Sequence, residues 1–420
     1  MRRYDSYKDS GVDWIGKIPN HWDDFQLRKY LSIVSQKGFP DQTLLSVTRE
    51  QGVIIRDKSK EVNHNYIPDD LSGYKLVRVG QFVINKMKSW QGSYGVSDYE
   101  GIVSPAYYVC DLNVANPEYF SWAIRSKAYI PFFTQMSKGI RVDQWDLSPI
   151  SLMTIPFFMP PIEEQRVIVE YLNRKTGLIE RKKKDLEREV QLLEELKQAE
   201  IAEAVTHGLN PDASMKNSNT IQFGMIPEHW EEVKMQYCFK ERSQKGFPNE
   251  PMLCATQSQG VIPQSMYNNR VVVVNKDFDK QKLVKIGDFV ISLRSFEGGI
   301  EYAYYQGIIS AAYTVLIPNE DVNIPYFKLL FKSFYFIQLL RTCVTGIREG
   351  QNINYRLLGK QYIPIPPIEE QKAIVEYIER KAGKIDEMID GLKKQIDYLT
   401  EYKQRLIADV VTGQINVQPN

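Results

Sequence analysis

Cysteine and histidine are both scarce, at four residues each in a chain of 420. Cys110, Cys238, Cys254 and Cys343 lie far apart without metal-type spacing. That speaks against a disulfide scaffold or a zinc site and for buried free thiols in a reducing compartment. No run of about 18 apolar residues occurs, and no apolar h-region follows Arg2-Arg3. Neither membrane insertion nor secretion is expected, and the cytoplasm is the expected location. An excess of one charge is missing as well, since 53 Lys and Arg meet 52 Asp and Glu for a net +1. Any nucleic-acid binding must therefore come from local patches, not from a whole-molecule field. The Asn/Asp-Pro-Pro-Tyr/Phe tetrad of amino-methyltransferases is absent, and so is a Gly-x4-Gly-Lys-Ser/Thr phosphate loop. A nuclease-like set, Asp212 with Glu232 and Lys234, has its first member in a loop and no twin in the first half. Turn and surface charges account for it.

What the chain does contain is a long internal repeat. Its length exceeds one hydrophobic core, so two or more domains are expected, and 43% apolar residues can fill them. Pro-Pro-Ile-Glu-Glu-Gln at Pro160 to Gln165 recurs at Pro366 to Gln371, an offset of 206 residues (367 − 161). The match continues without a gap through Ile168 to Tyr171 against Ile374 to Tyr377, and through Val205-Thr206 against Val411-Thr412. An ungapped match of this length fits long helices, because insertions are absorbed most easily in loops. Pro161 and Pro367 suit the first helical position, and the Glu-Glu pair suits the positive end of the dipole.

Heptad spacing marks both helices as coiled coil. In the second, Ile378, Ile385, Leu392, Leu399 and Leu406 fall seven apart, with Ile389, Ile396 and Val410 four residues after three of them. The first keeps Leu172, Ile179, Leu186, Val190 and Leu193, but has Lys183 and Glu200 where its twin has Ile389 and Leu406. Gly177 and Gly383 are expected to mark bends or close contacts. Each helix would span roughly 65–70 Å at about 1.5 Å per residue, which suits a spacer.

The repeat also covers the segments before each helix. Ile18-Pro19-Asn20-His21-Trp22 returns as Ile226-Pro227-Glu228-His229-Trp230, and Ser35-Gln36-Lys37-Gly38-Phe39-Pro40 returns unchanged at Ser243 to Pro248. Gly101-Ile102-Val103-Ser104 answers Gly307-Ile308-Ile309-Ser310. Short β-branched and aromatic runs, among them Phe82 to Ile84, Tyr107 to Val109, Val271 to Val274 and Phe289 to Ile291, predict strands. Pro117 to Phe133 and Pro325 to Leu340 predict short helices. The stretch from Gly208 to Met225 reads as a flexible link. His21 and His229 are expected to fix how the chain enters the first strand, and Tyr107 and Tyr313 to sit in the core.

The copies part company in two places: Lys86 to Ser97 against Leu293 to Tyr304, and just after Gly139-Ile140-Arg141 and Gly346-Ile347-Arg348. A shared frame with divergent loops rich in Arg, Lys, Gln, Asn and aromatics suits two readers of different targets. Such side chains pair with base edges, although they also line protein–protein surfaces. The candidate base readers are Lys86, Lys88, Trp90, Gln91 and Gln144 in the first half, with Arg294, Glu297, Gln351 and Asn352 in the second. Arg141 and Arg348 recur in both halves, which favours phosphate contact or framework. Lys37 and Lys245 belong to the identical hexapeptide and mark either a shared phosphate contact or a turn.

Taken together, the doubled Pro-Pro-Ile-Glu-Glu-Gln-x-x-Ile-Val-Glu-Tyr helix, the Ile-Pro-x-x-Trp opening and the Gly-Ile-Val-Ser-Pro-Ala-Tyr segment resemble the specificity subunit of type I restriction–modification systems. The resemblance covers essentially the whole chain. It implies an α+β fold with two mixed, strand-rich target-recognition domains joined by two long antiparallel coiled-coil helices in a pseudo-two-fold repeat. Expected boundaries are a first recognition domain at 1–158, a spacer helix at 159–207 and a link at 208–225. A second recognition domain at 226–364, a second helix at 365–414 and a tail at 415–420 complete the chain. It further implies a non-catalytic reader of a bipartite, asymmetric site on double-stranded DNA. Its partners would be two adenine-methyltransferase subunits and restriction/translocase subunits, with S-adenosylmethionine, ATP and Mg2+ bound in those partners and no cofactor held by this chain. A coiled-coil adaptor that binds only proteins is the alternative, but it leaves the divergent polar loops unexplained.

Overall fold

The computed structural model describes residues 2–56, 67–139, 145–267, 277–346 and 352–418. The chain divides into two compact units. Unit 1 comprises Met1–Leu186 with Lys394–Asn420, and unit 2 comprises Glu187–Lys393. The division therefore cuts both long helices instead of falling at their ends.

Each unit is built on a four-stranded antiparallel sheet, and the strand order is the same in both. In unit 1 the order is Leu31–Val34, Tyr108–Leu112, Phe82–Ile84, Tyr94–Val96. In unit 2 it is Phe239–Arg242, Thr314–Pro318, Phe289–Ile291, Glu301–Tyr302. The interior strand Phe82-Val83-Ile84 is fully buried, as is its twin Phe289-Val290-Ile291 apart from a trace of exposure at Ile291. Because successive side chains of a strand point to opposite faces, each run serves two cores. Phe82 and Ile84 join the large core of unit 1, whereas Val83 joins a small one with Leu45, Val47 and Val103. Unit 2 repeats the division with Phe289 and Ile291 on one face and Val290 on the other. Tyr107 and Tyr313 are half-buried at the edge of the small cores and are not fully interior.

Close backbone approach explains one repeated glycine pair. Leu44 forms a bridge to Ile102, and Met252 to Ile308. The Ile102 and Ile308 amides donate to the carbonyls of Thr43 and Pro251 at 2.8 and 2.9 Å. A Cβ on Gly101 or Gly307 would run into those same carbonyl oxygens, so only glycine lets the strands meet.

The long helices span Ile162–His207 and Ile368–Val411, 46 and 44 residues. In unit 1, Ile168, Leu172 and Ile179 of the first helix share a core with Leu406 and Val410 of the second, and Lys403 Nζ reaches Glu180 Oε1 at 2.8 Å. In unit 2, Lys393 pairs with Glu194, Lys197 with Asp386, and Lys381 with Glu200. The descending numbers establish an antiparallel pair. Leu186, Val190, Ile378, Ile385 and Leu392 are buried as the heptads require, while Leu193, Ile396 and Leu399 are half-buried. Glu200, which interrupts the seam of the first helix, accepts from Tyr377 Oη at 3.0 Å and Lys381 Nζ at 3.1 Å. Those two partners hold its carboxyl below the usual glutamate range. A polar cluster thus replaces the leucine that its twin position carries.

Three local expectations change. Gly177 and Gly383 lie inside unbroken helices, and a Cβ at either position would meet no atom within 4 Å, so neither marks a close contact. The stretch read as a flexible link carries a strand, Met215–Asn217, paired with Met225–Pro227, and a 3-10 turn at Ile221–Phe223. The same arrangement, Tyr7–Asp9 on Lys17–Pro19, opens unit 1. Each aromatic-rich helix is two: Pro117–Ile124 and Ile130–Met136, then Ile324–Leu330 and Phe334–Thr342. The second break is made by Ser333, whose Oγ caps Phe336 N. Val271 to Val274 lie outside the described residues.

Candidate nucleic-acid interface

The repeated motifs meet one another, and that fixes each globular head on its helix. Glu164 is almost wholly buried. Its carboxylate accepts from Trp22 Nε1 at 3.0 Å and from Tyr4 Oη, and it pairs with His21 Nε2 at 2.7 Å. Burial and the Glu164 carboxylate push the Tyr4 hydroxyl far above its ordinary pKa. In unit 2, Glu370 pairs with His229 Nε2 at 2.8 Å, but among the described residues Trp230 Nε1 has no partner. The second Glu of each Glu-Glu pair is thus a latch; the first, Glu163 or Glu369, is exposed in the opening turn and pairs with Arg166 or Lys372. The following glutamine closes the joint, with Gln165 Nε2 donating to Pro160 O at 2.7 Å and Gln371 Nε2 to Pro366 O at 2.8 Å. His21 and His229 therefore have a structural role, as partners of the helix-opening glutamates.

A cation ties down a hairpin in each unit. Arg125 donates to the carbonyls of Tyr94, Arg49 and Glu50. In unit 2, Lys332 reaches the carbonyls of Gln257 and Gly298 and the buried Glu301 carboxylate. Burial raises the Glu301 pKa against the opposing pull of Lys332. No local sequence pattern announces this pair, because Arg125 lies 75 residues from Glu50 and Lys332 lies 75 from Gln257.

The divergent segments of unit 1 come together. Lys86 Nζ bonds Asp146 Oδ2 at 2.8 Å, the Leu147 amide donates to Lys86 O at 3.1 Å, and Trp90 packs edge-on against Trp145 with centroids 5.5 Å apart. The Asp146 carboxylate holds the Lys86 ammonium above the ordinary lysine range. Lys88 is exposed on the same turn, and Gln91 is half-buried. Gln91 lines a cleft of about 960 Å3 together with Arg49, Trp122, Asn173, Lys183 and Lys403. Lys183, the other interruption of the first helix, therefore faces this opening.

Asp146 stands on a hairpin opposite Lys138, and Asn352 takes the matching place opposite Thr345 in unit 2. A carboxylate paired with lysine in one unit is thus a carboxamide in the other, where it accepts from Thr345 Oγ1 at 3.2 Å. Arg294 and Glu297 are exposed around the short Ser295–Gly298 helix. Lys37 and Lys245 are exposed on equivalent turns. Arg141, Gln144, Arg348 and Gln351 lie outside the described residues.

Members of the nuclease-like set have structural partners instead. Glu232 of the nuclease-like set accepts from Ser218 Oγ, Asn219 N and Asn219 Nδ2 at 2.6–2.9 Å, anchoring a turn, and Lys234 lies over the Tyr362 ring. Among the described residues no three His, Cys, Asp or Glu side chains cluster as metal ligands, and no helix is long and apolar enough to cross a membrane. All four cysteines are free and buried.

Comparison with known proteins agrees with this architecture. Residues 227–398 match the type I restriction modification DNA specificity domain. The chain is 24% identical to the putative type I restriction enzyme MjaX specificity subunit of Methanocaldococcus jannaschii, covering 96% of both chains. It is 25% identical to the MjaVIII specificity subunit of the same organism, covering 96% of this chain and 95% of that one. A chain from a solved type I R-M system superposes with a TM-score of 0.63 at 16% identity, over 95% of this chain and 99% of the other. In its repeated frame, its paired long helices and these matches, the chain is similar to the specificity subunits of type I restriction–modification systems, and residues 227–398 match their DNA specificity domain.

Proposed function

We propose that this chain is the DNA-sequence reader of a type I restriction–modification assembly, with each unit reading one half of a bipartite, asymmetric site. The observation that carries the reading is the contrast within the repeat. Strand order and register recur, while side chains at equivalent positions on the matching turns differ: Lys86 and Asp146 in unit 1, Ser292 and Asn352 in unit 2. A charged lysine held by a carboxylate suits guanine O6 and N7, and a carboxamide suits adenine N6 and N7. Methyl transfer from S-adenosylmethionine to adenine, and ATP- and Mg2+-dependent translocation and cleavage, are assigned to partner subunits. This chain would serve those partners as reader and scaffold.

Co-expression with an adenine-methyltransferase subunit, followed by mapping of methylated adenines, tests this directly. The expected pattern is one two-part sequence with a fixed gap; methylation without sequence preference would sink the reading. Arg294→Ala should weaken binding to the cognate duplex by about 1–3 kcal/mol if the guanidinium makes a bidentate base contact. Unchanged affinity in a titration would remove Arg294 from the reading surface.

A further inference from the structure

The repeat retains one exposed feature that its own geometry does not require. Ser35-Gln36-Lys37-Gly38-Phe39-Pro40 and Ser243-Gln244-Lys245-Gly246-Phe247-Pro248 are identical, although the units have diverged around them. Both form a finger held by the same main-chain bonds, to which unit 2 adds a bond from the Arg242 guanidinium to Gln244 Oε1 at 3.2 Å. Gly38 N donates to Ser72 O at 3.0 Å and Gly246 N to Asp279 O at 2.9 Å. Leu76 N and Leu283 N donate to Gln36 O and Gln244 O, both at 2.8 Å. The glycines carry φ of 89° and 90°, which accounts for their own retention.

Nothing in that scaffold calls for lysine or phenylalanine beside the glycine. Phe39 and Phe247 are 39% and 38% exposed, and Lys37 and Lys245 are exposed too. Among the described residues neither ammonium makes a hydrogen bond or ion pair. Another repeated turn serves as the control. Gly80 and Gly287 share the same left-handed backbone, at φ 86° and 97°, yet their flanks have drifted from Arg78-Val79-Gly-Gln81 to Lys285-Ile286-Gly-Asp288. A turn of this kind tolerates change, so the identical side chains of the finger answer to something outside the fold that is the same for both units.

If the units read different base sequences, the sugar–phosphate backbone is the part of a duplex that both meet unchanged. Charge and shape favour it: an unpaired ammonium suits a phosphate, and an exposed ring one step beyond the glycine can lie against a deoxyribose.

We propose that the two fingers grip the DNA backbone independently of sequence, Lys37 and Lys245 each on a phosphate with Phe39 and Phe247 against the adjoining sugar. This rests on the reading of the chain as a DNA-binding subunit. The test uses the full chain carrying Lys37→Ala and Lys245→Ala, titrated with its cognate duplex and with a scrambled duplex of equal length from 50 to 200 mM KCl. Loss of two phosphate contacts should lower the slope of log K against log salt by about 1.8, at about 0.9 per contact. It should also weaken both duplexes by the same factor, and Lys37→Arg with Lys245→Arg should restore the slope. An unchanged slope, with association to a methyltransferase subunit lost instead, would overturn the grip and assign the fingers to protein docking. A larger loss on the cognate than on the scrambled duplex would overturn it in favour of base reading. Wild-type chain indifferent to any duplex would overturn the DNA-binding reading itself, and the grip with it.

Discussion

Glu164→Ala should destabilise unit 1 by about 2–6 kcal/mol, whereas Glu370→Ala should cost unit 2 no more than about 1 kcal/mol. The two residues are repeats of each other, so the difference comes from what surrounds them. Glu164 satisfies two buried donors, Tyr4 Oη and Trp22 Nε1, and each buried donor left without a partner costs about 1–3 kcal/mol. Glu370 is a quarter exposed and its pair with His229 is half in solvent, where an ion pair contributes about 0–1 kcal/mol. Among the described residues Trp230 Nε1 is already without a partner, so unit 2 loses nothing there. Urea unfolding followed by hydrogen exchange in each unit would measure both changes, and equal losses would refute the asymmetry.

Gly101→Ala and Gly307→Ala should each destabilise by about 1–3 kcal/mol, the usual range for overpacking, because the new methyl must displace a backbone carbonyl. Side-chain rotation offers no escape when the obstacle is main chain. Alanine at Gly177 or Gly383 should do the reverse and stabilise by about 0.5–1 kcal/mol, since these positions are helical and unobstructed. Thermal melts of the four single variants would settle the signs. A stabilised Gly101→Ala would show that the two strands can separate without cost.

Much of this architecture was legible in the sequence because repetition and heptad spacing are local signals. Ile378, Ile385, Leu392 and Leu406 could be placed on one face by counting sevens, and Phe82 to Ile84 stood out as a short apolar run. The latch was not legible. Glu164 and Glu370 sit in a helix-opening Glu-Glu pair, where dipole arguments account for both acids equally. Only the three-dimensional return of His21 and Trp22 distinguishes the buried acid from the exposed one. The interplay of Lys86 with Asp146 was hidden for a similar reason: the partners are 60 residues apart, and no local pattern links a turn to a distant hairpin. Lys183 and Glu200 were visible as interruptions of a heptad, but their surroundings were not.

The division of the helices between the units has a consequence for any attempt to cut this protein in two. The repeat suggests a natural cleavage site after His207, giving two pieces that each hold one head and one rod. Yet the large core of unit 1 includes Leu406, Val410, Val411 and Ile415, and that of unit 2 includes Ala204 and Val205. Each piece would leave one such apolar surface bare and carry away the strip that covers the other. Symmetry of the text and integrity of the folding unit do not coincide here, so a fragment made from one half would seek a second fragment before it could be soluble.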